Sequence, residues 1–311
     1  MAIAKMNKVM LIAPTEKQND LLDAIQELQS LEVTSLEQAK ELFTQKSIVL
    51  KDADEQEVNT LQKQFEGINA AIAFVEKNQK QPSMIQKLKI AREQFTLSEL
   101  QEEVSKWNTD ELVQHVENIR SSLRKKEDEL KELREKETLL RKWSVLDFYP
   151  KDIFKHPYTK TKMGVIPQAV DNVYLEILKN SELISVHEVY HTREEIGLLV
   201  TYPRKAQLEA KTELAKAHFS IVWYAFEEAP SIELKKNLET QKAVVEAKKK
   251  VLDDLQEEKD LLRKLQLSAE VTYNELQKEQ AKNELVNGQH VFVLQGWLTT
   301  KAVDAVEVQL K

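Results

Sequence analysis

Residues 231–262 read SIELKKNLETQKAVVEAKKKVLDDLQEEKDLL, and this stretch decides the fold. From here to residue 276, one set of positions recurs at alternating intervals of four and three residues. Such a strict repeat predicts a helix whose seam only a partner helix can cover. The seam positions are Leu234, Leu238, Gln241, Val245, Lys248, Leu252, Leu255, Lys259, Leu262, Gln266, Ala269, Tyr273 and Leu276. Because no Gly or Pro occurs between Pro230 and Gly288, we expect one helix of about 85 Å.

A second segment, residues 109–143, has the same alternation and would extend about 52 Å as a helix. Its seam positions are Leu112, Val116, Ile119, Leu123, Lys126, Leu130, Leu133, Glu137 and Leu140. Two such helices that flank a folded insert on one chain must run antiparallel. The sequence therefore predicts a long antiparallel two-helix coiled-coil rod formed by residues 84–145 and 230–287.

The insert between the two helices, residues 146–229, alternates between strand-like and helical patterns. We predict strands at 162–166, 183–191, 196–202 and 219–226, and helices at 168–179 and 205–218. This order is β-α-β-β-α-β, which is typical of a ferredoxin-like fold. The insert is therefore predicted to be a distal α/β lobe.

The two ends of the chain are predicted to share a proximal lobe. Residues 7–13 and 31–36 read as strands around a helix at 16–29, and residues 290–311 read as a strand followed by a helix. A lone strand leaves its backbone groups unpaired, and an antiparallel rod brings both chain ends together. Residues 1–83 and 288–311 should thus form one proximal α/β lobe, which gives an α+β fold class.

Two capping boxes are also predicted, Thr15 with Gln18 and Thr96 with Glu99, because a hydroxyl and an acid or amide three residues apart can satisfy free amides at a helix start. The split β-α-β layout of the proximal lobe further requires one more strand after the helix at 301–310. We expect that strand to lie beyond Lys311, which leaves an open sheet edge.

The pattern H-E-x-x-H occurs at residues 187–191 and raises the possibility of a zinc hydrolase. On a helix, His187 and His191 would lie about 6 Å apart. On a strand they would lie about 13 Å apart, too far to bind one zinc ion. The β-α-β-β-α-β order favours a strand, so the pattern does not predict a metal site.

Composition restricts the remaining chemistry. The 311-residue chain has 45 Lys and Arg against 52 Asp and Glu, no cysteine and five isolated glycines. A mixed acidic surface does not indicate nucleic-acid binding, and there is no phosphate-binding glycine loop or thiol nucleophile. No apolar run approaches the roughly 20 residues of a membrane span. We therefore predict a non-catalytic protein, with no catalytic, cofactor-binding or metal-binding residue and no small-molecule substrate. The sequence identifies no partner-binding residue.

Three groups of residues could contact a partner. The basic runs 124–126 and 248–250 are interpreted as solvated helix faces, because acidic residues surround them. The tryptophans at 107, 143, 223 and 297 are interpreted as packing anchors. The aromatic loop 147–158, DFYPKDIFKHPY, either packs on the distal lobe or forms a contact surface.

The two terminal segments carry a family resemblance. KMNKVMLIAPTEKQNDLLDAIQELQSLEV (5–33) resembles the opening of subunit I of V-type (A-type) ATPases, which is equivalent to eukaryotic subunit a. VFVLQGWLTTKAVDAVEVQLK (291–311) resembles the strand-Gly-Trp-helix segment that precedes the membrane region of that family. Two positions differ from the family pattern: Thr299 stands where Pro is frequent, and Gln29–Ser30 stands where Gly is common.

The resemblance implies a stator subunit of a rotary ion pump, at the cytoplasmic face of the cell membrane. Its soluble half would link the peripheral stalks, which are E–G heterodimers, to the membrane ion channel and would resist torque. It would also approach a C/d-like cap protein of the central stalk. The family's membrane half, which faces the rotor ring, would follow residue 311. The sequence does not distinguish proton from sodium transport, nor which lobe binds which stalk.

Two other functions remain open. A free-standing coiled-coil scaffold would need the rod but no stalk subunits. A small-molecule sensor would use the ferredoxin-like lobe, since related folds in regulatory domains bind amino acids, although a fold does not by itself imply a function.

Overall fold

The computed structural model describes residues 5–28, 31–34, 55–80, 94–149, 156–287, 290–300, 303 and 306. Helices are combined with two antiparallel sheets, so the predicted α+β class is confirmed. The chain divides into two compact units. The terminal unit comprises residues 1–121 and 252–311, and the central unit comprises residues 122–251.

The helices of the described residues are α1 (Gln18–Leu28), α2 (Glu55–Asn78), α3 (Leu97–Val104), α4 (Thr109–Trp143), α5 (Val173–Lys179), α6 (Gln207–Lys216), α7 (Pro230–Glu257) and α8 (Leu261–Glu284). The strands are β1 (Met6–Pro14), β2 (Leu31–Thr34), β3 (Thr159–Pro167), β4 (Ser185–His191), β5 (Glu195–Pro203), β6 (Ser220–Ile221), β7 (Val286–Asn287) and β8 (Val291–Thr299).

The terminal sheet joins the two ends of the chain. Its order is β1-β8-β2, and β8 pairs antiparallel with β1 over nine residues, from Met6 opposite Thr299 to Pro14 opposite Val291. The short strand β7 pairs with β8 beyond the end of β2. Leu22 and Ile25 of α1 pack with Phe292 and Leu294 on the inner face of this sheet. The predicted pairing of the first and last strands is therefore present.

The outer edge of β1 has no strand partner within the described ranges, as the split β-α-β layout leads one to expect. Residues 303 and 306 are helical, and Val306 is buried. The rest of the predicted helix at 301–310 lies outside the described residues. The additional strand expected beyond Lys311 remains a prediction.

The central sheet has the order β4-β5-β3-β6, and every neighbouring pair is antiparallel. Helices α5 and α6 cover its inner face, where Ile166, Leu178 and Leu198 are fully buried. Its outer face packs on the end of α4 through Leu140 and Trp143. The predicted element order β-α-β-β-α-β is thus found in residues 159–221.

Helices α4 and α7 run antiparallel within the central unit. Gln241 of α7 donates a hydrogen bond to Glu137 (2.7 Å), and Lys248 contacts Glu127 (2.5 Å). The partner recedes along α4 as the position advances along α7, which requires opposite directions. In the terminal unit, α2 packs on α4, α7 and α8 through a cluster that buries Val75 and Leu255 completely.

The predicted single helix at 231–287 is wrong, since α7 ends at Glu257 and α8 begins at Leu261. The predicted seam also changes. Val244 is buried, whereas Val245, assigned to the seam, is half exposed. Beyond the break the buried positions are Leu261, Leu265, Ser268, Ala269, Thr272 and Leu276, and Gln266 and Tyr273 are exposed. At the break, Leu255 and Leu261 are buried in the same cluster, so the interruption brings two turns of different rotational phase into one core.

Other local predictions have mixed outcomes. The Thr96 capping box is confirmed by both of its hydrogen bonds. Thr15 does not form the predicted box, because it lies inside a 3-10 turn (Thr15–Lys17) where its amide donates to the His290 carbonyl. The strand predicted at 219–226 contains only Ser220–Ile221, because Gly164 brings Phe219 and Ser220 close to β3 and the chain then leaves the edge.

Candidate interaction surfaces

The H-E-x-x-H pattern lies on strand β4, as predicted, and does not form a metal centre. Glu188 accepts hydrogen bonds from Lys179 (2.7 Å) and His191 (2.5 Å), so its carboxylate is already bonded to two side chains. The Lys179 hydrogen bond lowers the pKa of Glu188. Among the residues described by the structure, no group of three His, Cys, Asp or Glu could hold a metal ion.

A second charged group closes the outer side of the central sheet. Glu195 accepts hydrogen bonds from Lys142 Nζ (2.7 Å) and Tyr190 Oη (2.8 Å). The Lys142 hydrogen bond lowers the pKa of Glu195, and burial raises the pKa of Tyr190. The Tyr190 ring in turn meets the buried Trp143 ring edge-on at 5.1 Å. These groups join α4 to the sheet, and their arrangement is structural.

The basic runs contact acidic residues or solvent. Lys248 pairs with Glu127 across the two antiparallel helices, while Lys249, Lys250, Arg124 and Lys125 are exposed. A groove of about 250 Å³ runs along α4 beside the first run. It is lined by Glu127, Lys131, Arg134, Glu135 and Thr138. One charged helix face bounds it, which is unlike the enclosed, mainly apolar pockets that bind small ligands.

The outer face of the terminal sheet is apolar and exposed. Alternate residues of β1 and β8 form it, and their exposed fractions reach 57% for Met10 and 65% for Ile12. The other exposed apolar members are Met6, Val291 and Trp297. Lys8 and Glu32 lie on the same face, on either side of Trp297. We call this set the outer terminal face. Gln295 also lies on this face, and Val293 there is buried. Exposed apolar side chains grouped on one face are typical of a contact site.

Sequence reasoning missed the outer terminal face, although a signal was present. Residues 9–13 of β1 are apolar at every position, which is typical of a strand with both faces covered. Val9 and Leu11 face the α1 side, whereas Met10 and Ile12 face the other side. An unbroken apolar run on a strand with helices on one side predicts a second apolar face.

The tryptophans divide into anchors and exposed residues. Trp143 is fully buried, and Trp107 donates a hydrogen bond to Ser268 (3.0 Å), so both are packing anchors as predicted. Trp223 is 83% exposed and Trp297 is 38% exposed, so the prediction is wrong for Trp223 and incomplete for Trp297. Trp223 is exposed because its neighbours Val222 and Tyr224 pack against the core around Trp143, which leaves the side chain of Trp223 pointing away from that core.

The aromatic loop is only partly described. Phe148 packs against the core between α4 and the central sheet, which agrees with the packing interpretation. Tyr158 is 78% exposed and therefore available for contact. Phe154 lies outside the described residues.

No described helix is long and apolar enough to cross a membrane.

Comparisons of the sequence and of the structure with known proteins give different results. No protein-family model matches the chain, and no curated protein sequence matches it. Among solved structures, the chain is similar to the crystal structure of the cytoplasmic N-terminal domain of subunit I, homolog of subunit a, of V-ATPase. The two are 14% identical with a TM-score of 0.47, and the similarity covers 97% of this chain and 96% of that chain.

Proposed function

We propose that this chain is the soluble part of a stator subunit of a rotary V-type ATPase. It links peripheral stalks to the membrane ion channel and resists torque while ATP hydrolysis drives proton or sodium transport. In this role it is not an enzyme and holds no cofactor, and it acts at the cytoplasmic face of the cell membrane.

One observation carries the proposal. The two segments that resemble subunit I, residues 5–33 and 291–311, are remote in sequence, yet β1 and β8 from these segments are neighbours in one sheet. A chance resemblance in either segment gives no reason for the two to fold together. Their pairing supports a common origin for both segments and for the lobe they build.

The finer architecture belongs to the same proposal. Residues 1–83 and 288–311 form the proximal lobe, residues 84–145 and 230–287 form the coiled-coil rod, and residues 146–229 form a ferredoxin-like distal lobe. The strand order β4-β5-β3-β6 and the opposite directions of α4 and α7 support this division. A helix pair resists bending because its packed side chains would have to shear past each other.

The proposed partners are E–G peripheral-stalk heterodimers and a C/d-like cap protein of the central stalk. Contact with the rotor ring would occur only through a membrane half. The outer terminal face and the exposed Tyr158 and Trp223 are among the exposed apolar surfaces of the described residues that such contacts could use. Which lobe binds which stalk is open.

Binding to the purified E–G heterodimer of the same organism tests the proposal. We expect saturable binding by calorimetry and none to an unrelated antiparallel coiled coil of similar charge, which serves as the specificity control. Equal binding to both helical proteins would favour the alternative, a free-standing scaffold unrelated to an ion pump. Absence of E–G binding at about 100 μM, far above the range of specific interfaces, would contradict the proposal.

A further inference from the structure

The break between α7 and α8 is not explained by the local sequence. Residues 256–264 read QEEKDLLRK and contain no Gly or Pro, and most of these residues have high helix propensity. Nevertheless Glu258–Asp260 leaves the helical path, with the Lys259 amide donating to the Glu257 carbonyl. The helix propensity of residues 256–264 opposes the non-helical conformation at 258–260. Contacts with other segments of the terminal unit must therefore stabilise that conformation.

Burial under α2 is the first of these contacts. In one continuous helix, Leu255 and Leu261 would point about 120° apart, because each residue advances the helix by about 100°. Across the break both are buried in one cluster, with 0% and 5% of their surfaces exposed. Ile68, Ala71 and Val75 of α2 form the other side of that cluster. Docked α2 therefore favours the broken conformation.

Two glutamines form the second contact. Gln79, directly after α2, donates its side-chain amide to the carbonyls of Leu255 (2.7 Å) and Glu258 (3.1 Å). These are the carbonyls that the amides of Lys259 and Leu262 would need in a continuous helix. In return, Gln256 donates to the Asn78 carbonyl (2.7 Å) and accepts from the Lys80 amide (3.0 Å). Gln79 thus satisfies the Leu255 carbonyl at the end of α7, and Gln256 satisfies the Asn78 carbonyl at the end of α2.

A third contact reaches the break from α4. His115 Nε2 lies 3.0 Å from both carboxylate oxygens of Glu258, the first residue of the break. Helices on two sides therefore hold the three interrupted residues, and α2 supplies both the apolar cover and the amide partners.

We propose that residues 258–260 form a two-state element coupled to the docking of α2. With α2 docked, the amide clamp of Gln79 and Gln256 keeps α7 and α8 separate. When α2 is released, the amides of Lys259 and Leu262 take the freed carbonyls, and the two helices join. This inference rests on contacts within the terminal unit and is independent of the proposed stator function.

Residue-resolved hydrogen exchange of the full chain tests the coupling. In the double variant Gln79→Ala, Gln256→Ala we expect the amides of residues 259–262 to exchange about tenfold more slowly, equivalent to about one net backbone hydrogen bond. The matched control is Gln62→Ala, Gln277→Ala, which removes glutamines bonded only within their own helices and should leave these amides unchanged. Faster or unchanged exchange at 259–262 in the clamp variant would overturn the proposal.

A second pair of variants keeps both glutamines. It changes the break itself and measures the effect on the docking of α2. Asp260→Ala raises helix propensity at the break, and because coupling is reciprocal it should weaken α2 docking. We expect the amides of residues 74–79 to exchange about threefold faster in Asp260→Ala and not faster in Asp260→Gly. Equal exchange in the two variants would exclude the coupling even if the double variant fails to fold.

Discussion

The terminal and central sheets share a strand arrangement but differ in how their outer faces are covered. In each sheet a later strand lies between the first two strands, as β8 does between β1 and β2 and β5 does between β3 and β4. The outer face of the central sheet is closed by Trp143, Leu140 and the residues packed around them. The outer terminal face exposes Met10, Ile12 and Trp297.

The difference shows that one arrangement can serve two purposes. Helices cover the inner face of each sheet, so burial on that side explains folding in both cases. Because its outer face is covered as well, the central sheet is buried on both faces. Leaving the second face of the terminal sheet apolar and exposed keeps surface available that a partner can bury. Four predictions sharpen this comparison, in order of decreasing effect.

Removing the cover of the central sheet should have the largest effect. Trp143→Ala deletes a fully buried ring and should lower the free energy of unfolding by about 3–5 kcal/mol. The matched change on the partly exposed outer terminal face, Trp297→Ala, should cost about 1 kcal/mol or less. Urea denaturation followed by circular dichroism measures both. Equal losses would show that the two outer faces are equally covered.

The close packing on the outer face of the central sheet should give the next largest effect on stability. A Cβ at Gly197 would overlap the Tyr190 ring, which packs on Trp143, so Gly197→Ala should destabilise by about 1–3 kcal/mol.

Gly67→Ala provides the contrast, because a Cβ there meets only Val113 at 4.0 Å and the site is inside α2. That substitution should stabilise the protein by about 0.5–1 kcal/mol through helix propensity. Thermal unfolding measures both variants, and destabilisation by Gly67→Ala would contradict the packing of α2.

These features differ in how far the sequence predicts them. Short apolar runs and helical periodicity located β1, α1, β2 and the β-α-β-β-α-β order, because each is fixed by local residues. The break at 258–260 could not be predicted, because Gln79 and Val75 impose it from a distant segment. The strand at 219–226 was predicted too long, since FSIVWYAF is apolar at every position except Ser220, while only Ser220–Ile221 pairs with β3 as a strand.

Residue type does not predict that Trp223 and the outer terminal face are exposed. An apolar residue has the same identity in the sequence whether or not another element packs over it. The zinc-like pattern was correctly predicted to lie on a strand, because the order of the surrounding elements placed it there. The sequence therefore predicts helices and strands well, but it predicts poorly which of their apolar faces are buried by other elements.

The Lys142–Glu195 pair should give the central unit a pH dependence of about 1 kcal/mol, an estimate that allows for partial solvent screening. The folded pKa of Glu195 is lowered, so its stabilising contribution is present above the unfolded pKa and is lost as the pH falls through the folded pKa. Unfolding measured from pH 6 to pH 3 should show a smaller loss of stability in Glu195→Gln. Tyr190→Phe, which keeps the ion pair, should retain most of the slope; identical slopes in wild type and Glu195→Gln would contradict the assignment.

Polar substitutions on the outer terminal face should have the smallest effect. Ile12→Thr and Met10→Gln replace exposed apolar side chains and should change the free energy of unfolding by less than about 0.5 kcal/mol. Met163→Gln, at a buried position under Trp143, is the matched change and should cost several-fold more. A large loss from Ile12→Thr in chemical denaturation would show that another part of the chain covers this face.

A disulfide between the two ends of the chain tests their pairing most directly. Met10 and Gln295 are register partners of β1 and β8, and the chain has no native cysteine. The Cα atoms of directly opposed residues in antiparallel strands lie about 4.5–5.5 Å apart, which a disulfide can span.

We expect Met10→Cys, Gln295→Cys to form a cross-link under mild oxidation, detected by mass spectrometry of tryptic peptides. The control pair Met10→Cys, Val291→Cys, offset by about 13 Å, should not form one. Failure of the first pair to cross-link, or equal cross-linking by both pairs, would contradict the claim that the beginning and end of the chain form one sheet.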